Sequence, residues 1–460
     1  MIETNLELSP APSSAAERNS IDDKATKFRW IILALIVLVM LVEALQRASM
    51  GIAGKVIQDE FHLTTQKLGW ILSAFGLGQT VSQLPWGLAG DRYGPRRILM
   101  LAVLCSAIST LSIGLTPSKA AFAWLSVAGY LMLMRFLGGV GMAAGPSNSN
   151  KIVSLWMSPS ERATGSSAIP FGSGLGSGLA PILTALTMQR YGWRFSYFLF
   201  AGIALAVAVV WRLFATNHPE EHPLVNAAEV AIIRGGAGAE NATKPKRRLK
   251  WSEMLKSPSL WAISLSFSCQ QYAIMVFQTW FFIYLVKSRG LTLTQAGFWG
   301  ATPFICMVLF SPFGGRASDF AVRKIGRSRG RRIIVWIGMG LSATLLLIGS
   351  HTHNNAQAIV ILAVAAGFNY FALSGFWAGC IDLAPTYSAS VSSLMNTFGS
   401  FGGWLAPIVT AFVATRWGWP RAIDVAAVVT AVSGILWMFT NLNRPIEQSV
   451  LHLRKPIGEL

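Results

Sequence analysis

Charge is scarce in this chain, and acid is scarcer than base. Asp, Glu, Lys and Arg make up 13% of its 460 residues, against about 25% in ordinary soluble domains, and 53% of the chain is hydrophobic. The deficit recurs in segments, which is the signature of a polytopic membrane protein. With 38 Lys and Arg against 20 Asp and Glu the net charge is +18. This excess does not indicate nucleic acid, because the cations fall in the breaks between apolar segments, where membrane topology puts them. Cysteine is sparse: Cys105, Cys269, Cys306 and Cys380 all lie in apolar segments without metal-ligand spacing, and they read as small core residues. No histidine lies within an apolar segment. No nucleophile–base set, zinc spacing or phosphate loop occurs, which argues against an enzyme and implies neither metal nor cofactor. Met1 to Lys27 lacks a signal-peptide layout and reads as a cytoplasmic tail.

What is abundant is long apolar runs. The first, from Trp30 to Val42, reaches about the middle of a bilayer at roughly 1.5 Å per residue. Further runs follow near Leu68–Ala89, Ile98–Leu115, Ala121–Gly145, Ser166–Met188, Phe195–Phe214, Ser259–Val286, Thr294–Ala317, Ile333–Ser350, Ala356–Cys380, Ser390–Ala414 and Ala422–Asn441. These runs predict an all-α integral membrane protein of about twelve transmembrane helices in two six-helix bundles, each run near the ~20 residues a bilayer needs. The expected layout is a tail over 1–28, bundles over 29–214 and 259–441, a linker over 215–258 and a second tail over 442–460. With the N-terminus inside, the inner connections carry most of the Lys and Arg, including Lys151, Arg162 and the basic run Lys244 to Lys250. That bias predicts both termini in the cytoplasm of an inner-membrane protein. The basic run is either a topology determinant or a contact for anionic lipid. The sequon Asn241-Ala242-Thr243 falls on the inner side and is set aside.

The two halves repeat each other. Gly69, Gly87 and Asp91 recur as Gly297, Gly315 and Asp319 at one constant offset. Leu179-Ala180-Pro181-Ile182 recurs as Leu405-Ala406-Pro407-Ile408, and Gly192-Trp193 recurs as Gly418-Trp419. The repeats point to parallel halves with a site between them. Gly87-Leu88-Ala89-Gly90-Asp91-Arg92-Tyr93-Gly94-Pro95-Arg96-Arg97 joins the second and third spans. Its small residues let helix ends approach closely. Asp91 is placed to meet a helix N-terminus or an arginine of the neighbouring bundle, and Arg92, Arg96 and Arg97 anchor at headgroups.

This stretch resembles the hallmark loop of the major facilitator superfamily, and Gly315 to Asp319 resembles its degenerate second copy. The resemblance implies that Gly87, Asp91, Arg92, Gly94, Arg96, Gly315 and Asp319 form a conformational latch and do not bind substrate. It narrows further. Gln46-Arg47-Ala48-Ser49 resembles a first-helix stretch of the anion:cation symporter family, which includes bacterial sugar-acid carriers. Arg135-Phe136-Leu137-Gly138-Gly139 resembles its fourth-helix arginine motif, and Asn217-His218-Pro219-Glu220-Glu221-His222-Pro223 its signature after the sixth helix. Asn396 sits where that family has a substrate-binding asparagine. Two departures matter: family proton symporters carry carboxylates where this chain has Gln46 and Met142.

The residues themselves suggest a site. Glu43 is the one acid deep in a span, and Arg47 shares its helical face. The two either form a structural pair or belong to a functional site, since ionisable groups in a membrane are functional by default. If a buried side chain carries a proton, Glu43 is the candidate. Arg47 and Arg135 are expected to clamp a carboxylate or sulfonate, with Gln46 beside them, because a guanidinium fork bonds two oxygens and keeps its charge. The opposite wall is expected to be polar and uncharged: Gln270, Gln271, Tyr272 and Gln278 on the seventh span, with Ser374, Trp377 and Asn396. The expected function is secondary active transport of a small organic anion by alternating access, coupled to protons through Glu43, or else exchange or export without them. A non-transporting sensor on the same scaffold is disfavoured by retention of the loop and both arginines. The expected partners are the anion, protons and lipid, with no nucleic acid, and the carrier is expected to be a monomer.

Overall fold

A computed structural model describes residues 24–117, 126–234, 254–443 and 445–446. Residues 1–23, the start of the fourth apolar run, the basic run and the sequon of the linker, and most of the C-terminal tail lie outside them. No strand occurs among the described residues. The N-terminal half contains α1 (Phe28–Glu60), α2 (Thr65–Tyr93), α3 (Pro95–Gly114), α4 (Val127–Met142) continued by α5 (Gly145–Trp156), α6 (Arg162–Ser166) continued by α7 (Ala168–Tyr191), and α8 (Trp193–Phe214). A 3-10 turn at Pro219–Glu221 and the short α9 (Ala227–Arg234) follow. The C-terminal half contains α10 (Pro258–Thr279) with α11 (Phe281–Lys287), α12 (Leu293–Gly300) with α13 (Thr302–Ile325), α14 (Arg327–His351), α15 (Asn355–Leu383), α16 (Ser388–Trp417) and α17 (Trp419–Leu436).

Eleven of these helical runs are long and apolar enough to cross a membrane. The twelfth, α2, has the length, at 29 residues, but Gln79, Gln83, Asp91 and Arg92 make it more polar. Its length and its packing on α4 and α16 make it the remaining span of a twelve-helix, two-bundle fold. The repeated Gly-Trp pairs are repeated turns. Gly192 and Gly418 have φ of +80° and +86°, and each ends one helix immediately before a Trp begins the next. A left-handed residue there must be glycine at little cost.

Within each half, helices pack in equivalent pairs: α1 on α7 and α2 on α4, α10 on α16 and α13 on α15. Between halves, α16 meets α2 and α5, while α13 meets α6 and α7. These contacts gather at the end of the molecule that carries Asp91 and Asp319, the latch side. Toward the far side they stop near Gln83, whose Nε2 donates to Ser400 Oγ at 3.2 Å, and near Gly174, which faces Val308. One turn beyond, Gly178 faces open space. The cross-bundle bonds described are thus concentrated on the latch side, and α7 has no neighbour at Gly178 toward the far side.

The segment after α8 holds the latch-side ends of the N-terminal bundle together. Glu229 of α9, fully buried, accepts from the backbone N–H of Phe28 and Arg29 at 3.0 and 3.1 Å and so caps α1 from a distant part of the chain. Asn217 accepts from the Arg96 N–H at 3.1 Å at the start of α3, and His222 stacks on Phe28 at 3.9 Å. The part of the linker described here is thus docked structure.

Candidate anion site between the bundles

The fourth span breaks between α4 and α5. The carboxylate of Glu43, 7% exposed, lies against Gly145 at that break, where any larger side chain would displace it. Its Oε1 has no hydrogen-bond partner among the described residues. One turn along α1, Gln46 is buried with both amide atoms unpartnered. Buried polar atoms left in this way are expensive, which makes this cluster a candidate for a binding site.

Arg47 is exposed to the gap and lies within electrostatic reach of Glu43, Arg135 and Tyr370. Arg135, on α4, is 6% exposed. Its guanidinium carbon stands 4.6 Å from the centre of the Phe75 ring, and its Nε lacks a partner. The aromatic face stabilises the cation without satisfying its N–H groups. Tyr197, behind it on α8, is held by a bond from its hydroxyl to Met50 Sδ at 2.9 Å. Among the described residues no ion pair involves Arg47 or Arg135. Arg47 has Glu43 within electrostatic reach but not bonded to it, and Met142, buried at 4% exposure, offers Arg135 no charge.

The C-terminal wall is arranged differently from the expectation. Gln271 is half-buried against Gly399 of α16, and Gln278 is exposed. Tyr272 is buried with Ala406 of α16 and Ala426 of α17, in the interior of its own bundle. Ser374 is buried and donates to the Ser311 carbonyl at 3.1 Å. The Trp377 ring packs edge-on to Phe267 at 5.8 Å in the main core. Gln270 is fully buried and donates to Asn369 Oδ1 at 2.6 Å. Asn396 is 8% exposed. No hydrogen bond or ring contact among the described residues joins any of these seven side chains to either arginine; a C-terminal side chain within electrostatic reach of Arg47 is Tyr370, which was absent from the expected wall.

Beneath the gap sits Asn150, fully buried. Its Nδ2 donates to the Trp377 carbonyl at 2.9 Å and to Ser392 Oγ at 2.8 Å, and its Oδ1 accepts from Ser166 Oγ at 3.0 Å. One amide thereby joins α5, α6, α15 and α16. Sequence reasoning missed it, although the polar run Ser147 to Lys151 within an otherwise apolar span was a signal.

Of the residues expected to form the latch, Gly87, Asp91, Gly315 and Asp319 meet the other bundle. Asp91, at the end of α2, accepts from Ser390 N and Oγ at 2.8 and 2.6 Å, in the first turn of α16. Gly87 lies against Ser393 of the same helix. The cation beside Asp91 is Lys151, at 3.0 Å, from its own bundle. Lys151 is not in a connection, as its charge suggested, but buried in α5, and it also bonds the carbonyls of Pro385 and Thr386. Asp319 accepts from Ala163 N and Thr164 N at 3.0 and 2.7 Å, in the first turn of α6, beside Gly315. Arg92 stacks on Tyr93, while Arg96 donates to the Arg212 carbonyl at 2.9 Å, and Gly94 makes the left-handed turn before α3.

Known proteins share this design. The model of the Major Facilitator Superfamily matches residues 36–403 and 284–456. A probable galactarate/D-glucarate transporter of Bacillus subtilis is 30% identical over 93% of this chain and 94% of its own length. A probable sulfoacetate transporter of Cupriavidus necator is 23% identical over 90% and 94%. In fold, the chain superposes on a proton:xylose symporter with a TM-score of 0.69, covering 93% of this chain and all of the other, at 15% identity. By family match, by relatives and by fold, the chain is a transporter and not an enzyme, and it belongs to the major facilitator superfamily, with relatives of the anion:cation symporter type.

Proposed function

We propose that the protein carries a small organic anion, a carboxylate such as a sugar acid or a sulfonate, across the cytoplasmic membrane by alternating access, with uptake coupled to protons. The observation that carries this reading is the pair Arg47 and Arg135, within electrostatic reach of each other and in no ion pair among the described residues. Relatives named for galactarate or glucarate and for sulfoacetate support the same substrate chemistry. The latch side is assigned to the cytoplasm on the Lys and Arg bias.

Coupling follows from energetics. Bringing one negative charge inward against an inside-negative potential costs about 2.3 kcal/mol per 100 mV. Accumulation then requires a co-moving cation or an exchanged anion. Arg47 lies one turn from Glu43 on the same helical face, and an anion that engages Arg47 draws it away from that carboxylate and so favours proton uptake there. Exchange of one anion for another is the second reading, favoured by Gln46 and Met142 standing where the proton symporters of this family carry acids.

Proteoliposomes loaded against a panel of sugar acids and sulfonates test this. Arg135→Ala and Arg47→Ala are expected to weaken uptake at least ten-fold each, since a charged hydrogen bond contributes about 1.5–3 kcal/mol. Wild-type rates in either variant overturn the clamp. Glu43→Gln is expected to lose pH-driven accumulation and retain counterflow. Unchanged pH-driven accumulation in that variant rules Glu43 out as the proton carrier.

A further inference from the structure

Helix α13 shows a continuous outward stripe of large apolar side chains: Ile305, Leu309, Phe313 and Phe320, each more than half exposed. At helical spacing this is a lipid-facing stripe. Arg316 lies within it and is itself exposed. Its neighbour Gly315 faces Ala163 and Thr164 across the bundle seam, and Asp319, one turn on, is bonded to the same two residues. Arg316 therefore stands at the lipid edge of the seam between α13 and α6. No hydrogen bond or ion pair is made by it among the described residues.

The N-terminal half supplies the contrast. The constant offset that pairs Asp91 with Asp319 also pairs Leu77 with Ile305, Val81 with Leu309, Leu88 with Arg316 and Arg92 with Phe320. Both stripes carry one arginine, but the positions are exchanged by a turn. Arg92 is at the end of α2, next to Tyr93, where headgroups and water begin. Arg316 stops about 13 Å short of the end of α13, at 1.5 Å per residue. Its Cα–Cβ bond also tilts toward the helix N-terminus, that is, toward the bilayer interior. A guanidinium so placed keeps its charge, and lipid tails offer it no partner. A phosphate drawn down beside the helix offers two oxygens in the geometry its fork prefers.

We propose that Arg316 binds the phosphate of an anionic phospholipid in the latch-side leaflet, at the mouth of the α13–α6 seam, with Phe313 and Phe320 against the acyl chains. Because Gly315 and Asp319 form that seam only when the bundles are closed there, the lipid favours the closed latch.

Native mass spectrometry of the full chain released from phosphatidylglycerol/phosphatidylcholine nanodiscs tests the site. Wild-type protein is expected to retain one phosphatidylglycerol at least five-fold more often than Arg316→Leu. That variant copies Leu88 and leaves the lipid-facing stripe intact. Lys324→Leu, near the water-facing end of the same helix, is expected to match wild type. Millimolar inorganic phosphate is expected to leave retention unchanged. Equal retention in wild type and Arg316→Leu overturns the proposal. Loss in Lys324→Leu to the same extent, or displacement by free phosphate, overturns it as well, in favour of a diffuse basic surface or a soluble-anion site.

Discussion

The two latch seams use one device and differ in what surrounds it. In each, an aspartate at the end of one bundle's helix accepts from the free N–H groups of a helix that begins in the other bundle: Asp91 on α16, Asp319 on α6. The orphan donors of a helix start and the positive end of its dipole are thus satisfied in trans, and only while the bundles are closed. Around Asp91 the charge count is small. Lys151 pairs with it and spends its other donors on carbonyls of the α15–α16 turn. Around Asp319 the network is larger. Arg331, fully buried, bonds Asp319 at 2.8 Å and Asp382 at 3.1 Å, and Asp382 bonds Arg162 of the other bundle at 2.9 Å. The repeated motif thus puts an aspartate cap at each seam, through one N–H and a hydroxyl at Asp91 and two N–H groups at Asp319, and the surrounding residues, which do not repeat, make one seam electrostatically heavy and the other light.

The largest effect is expected where that difference is greatest. Arg331→Leu leaves Asp319 and Asp382 buried with one cation fewer, and breaking such a network by removing one partner costs about 3–5 kcal/mol. A fall in thermal midpoint of several degrees is expected for the purified protein. Lys151→Leu is expected to lower it by less, because Asp91 keeps two bonds to Ser390. Equal losses would mean that the two seams carry equal weight after all.

A middle-sized effect separates the caps from their surroundings. In a cysteine-free background, labelling of Ser392→Cys reports the light seam and labelling of Ser311→Cys the heavy one, both side chains being fully buried when the latch is closed. Asp91→Asn and Asp319→Asn each remove charge from a cap. Each is expected to raise labelling at both reporters, about ten-fold for every 1.4 kcal/mol withdrawn, because rigid bundles rock as units. If each substitution exposes only its own reporter, the seams open independently and the rigid-body description fails.

What the sequence made legible follows from how the information is stored. Spans are written as apolar runs, and the trans caps as a repeat with a fixed offset, so α2, α13, Asp91 and Asp319 could be read directly. The arginines could be read because charge is rare in such runs. Asp382 could be seen only as an acid near a span end: its partners Arg162 and Arg331 lie on other helices, and no spacing along the chain connects them. The same holds for Glu229, which caps a helix some two hundred residues away. Tyr272 is a different case. A polar residue on a span next to Gln271 suggests a cavity wall, but its hydroxyl is small enough to be buried among alanines and valines of α16 and α17, and helical phase alone does not say which side of α10 faces the gap.

The smallest effect is expected at the far side, where an exposed pair provides the reference for both seams. Glu60, past the apolar part of α1, accepts from Trp193 Nε1 at 2.6 Å and from Arg194 at 2.7 Å. Burial raises the carboxyl somewhat, but the bonds from Trp193 and Arg194 and the charge of Arg194 outweigh it and leave Glu60 below its ordinary range. A group lowered on folding adds stability that is complete above the unfolded value and is lost as pH falls through the folded one. Both side chains of the ion pair are more than a third exposed, so screening limits it to about 0.2–1 kcal/mol. Glu60→Gln is therefore expected to reduce the thermal midpoint slightly at pH 7, with the difference shrinking as pH falls below the ordinary carboxyl range and through the folded value. A loss at pH 7 as large as that of Arg331→Leu would show that burial, and not the number of charges, had been given too much weight in ranking the heavy seam above the light one.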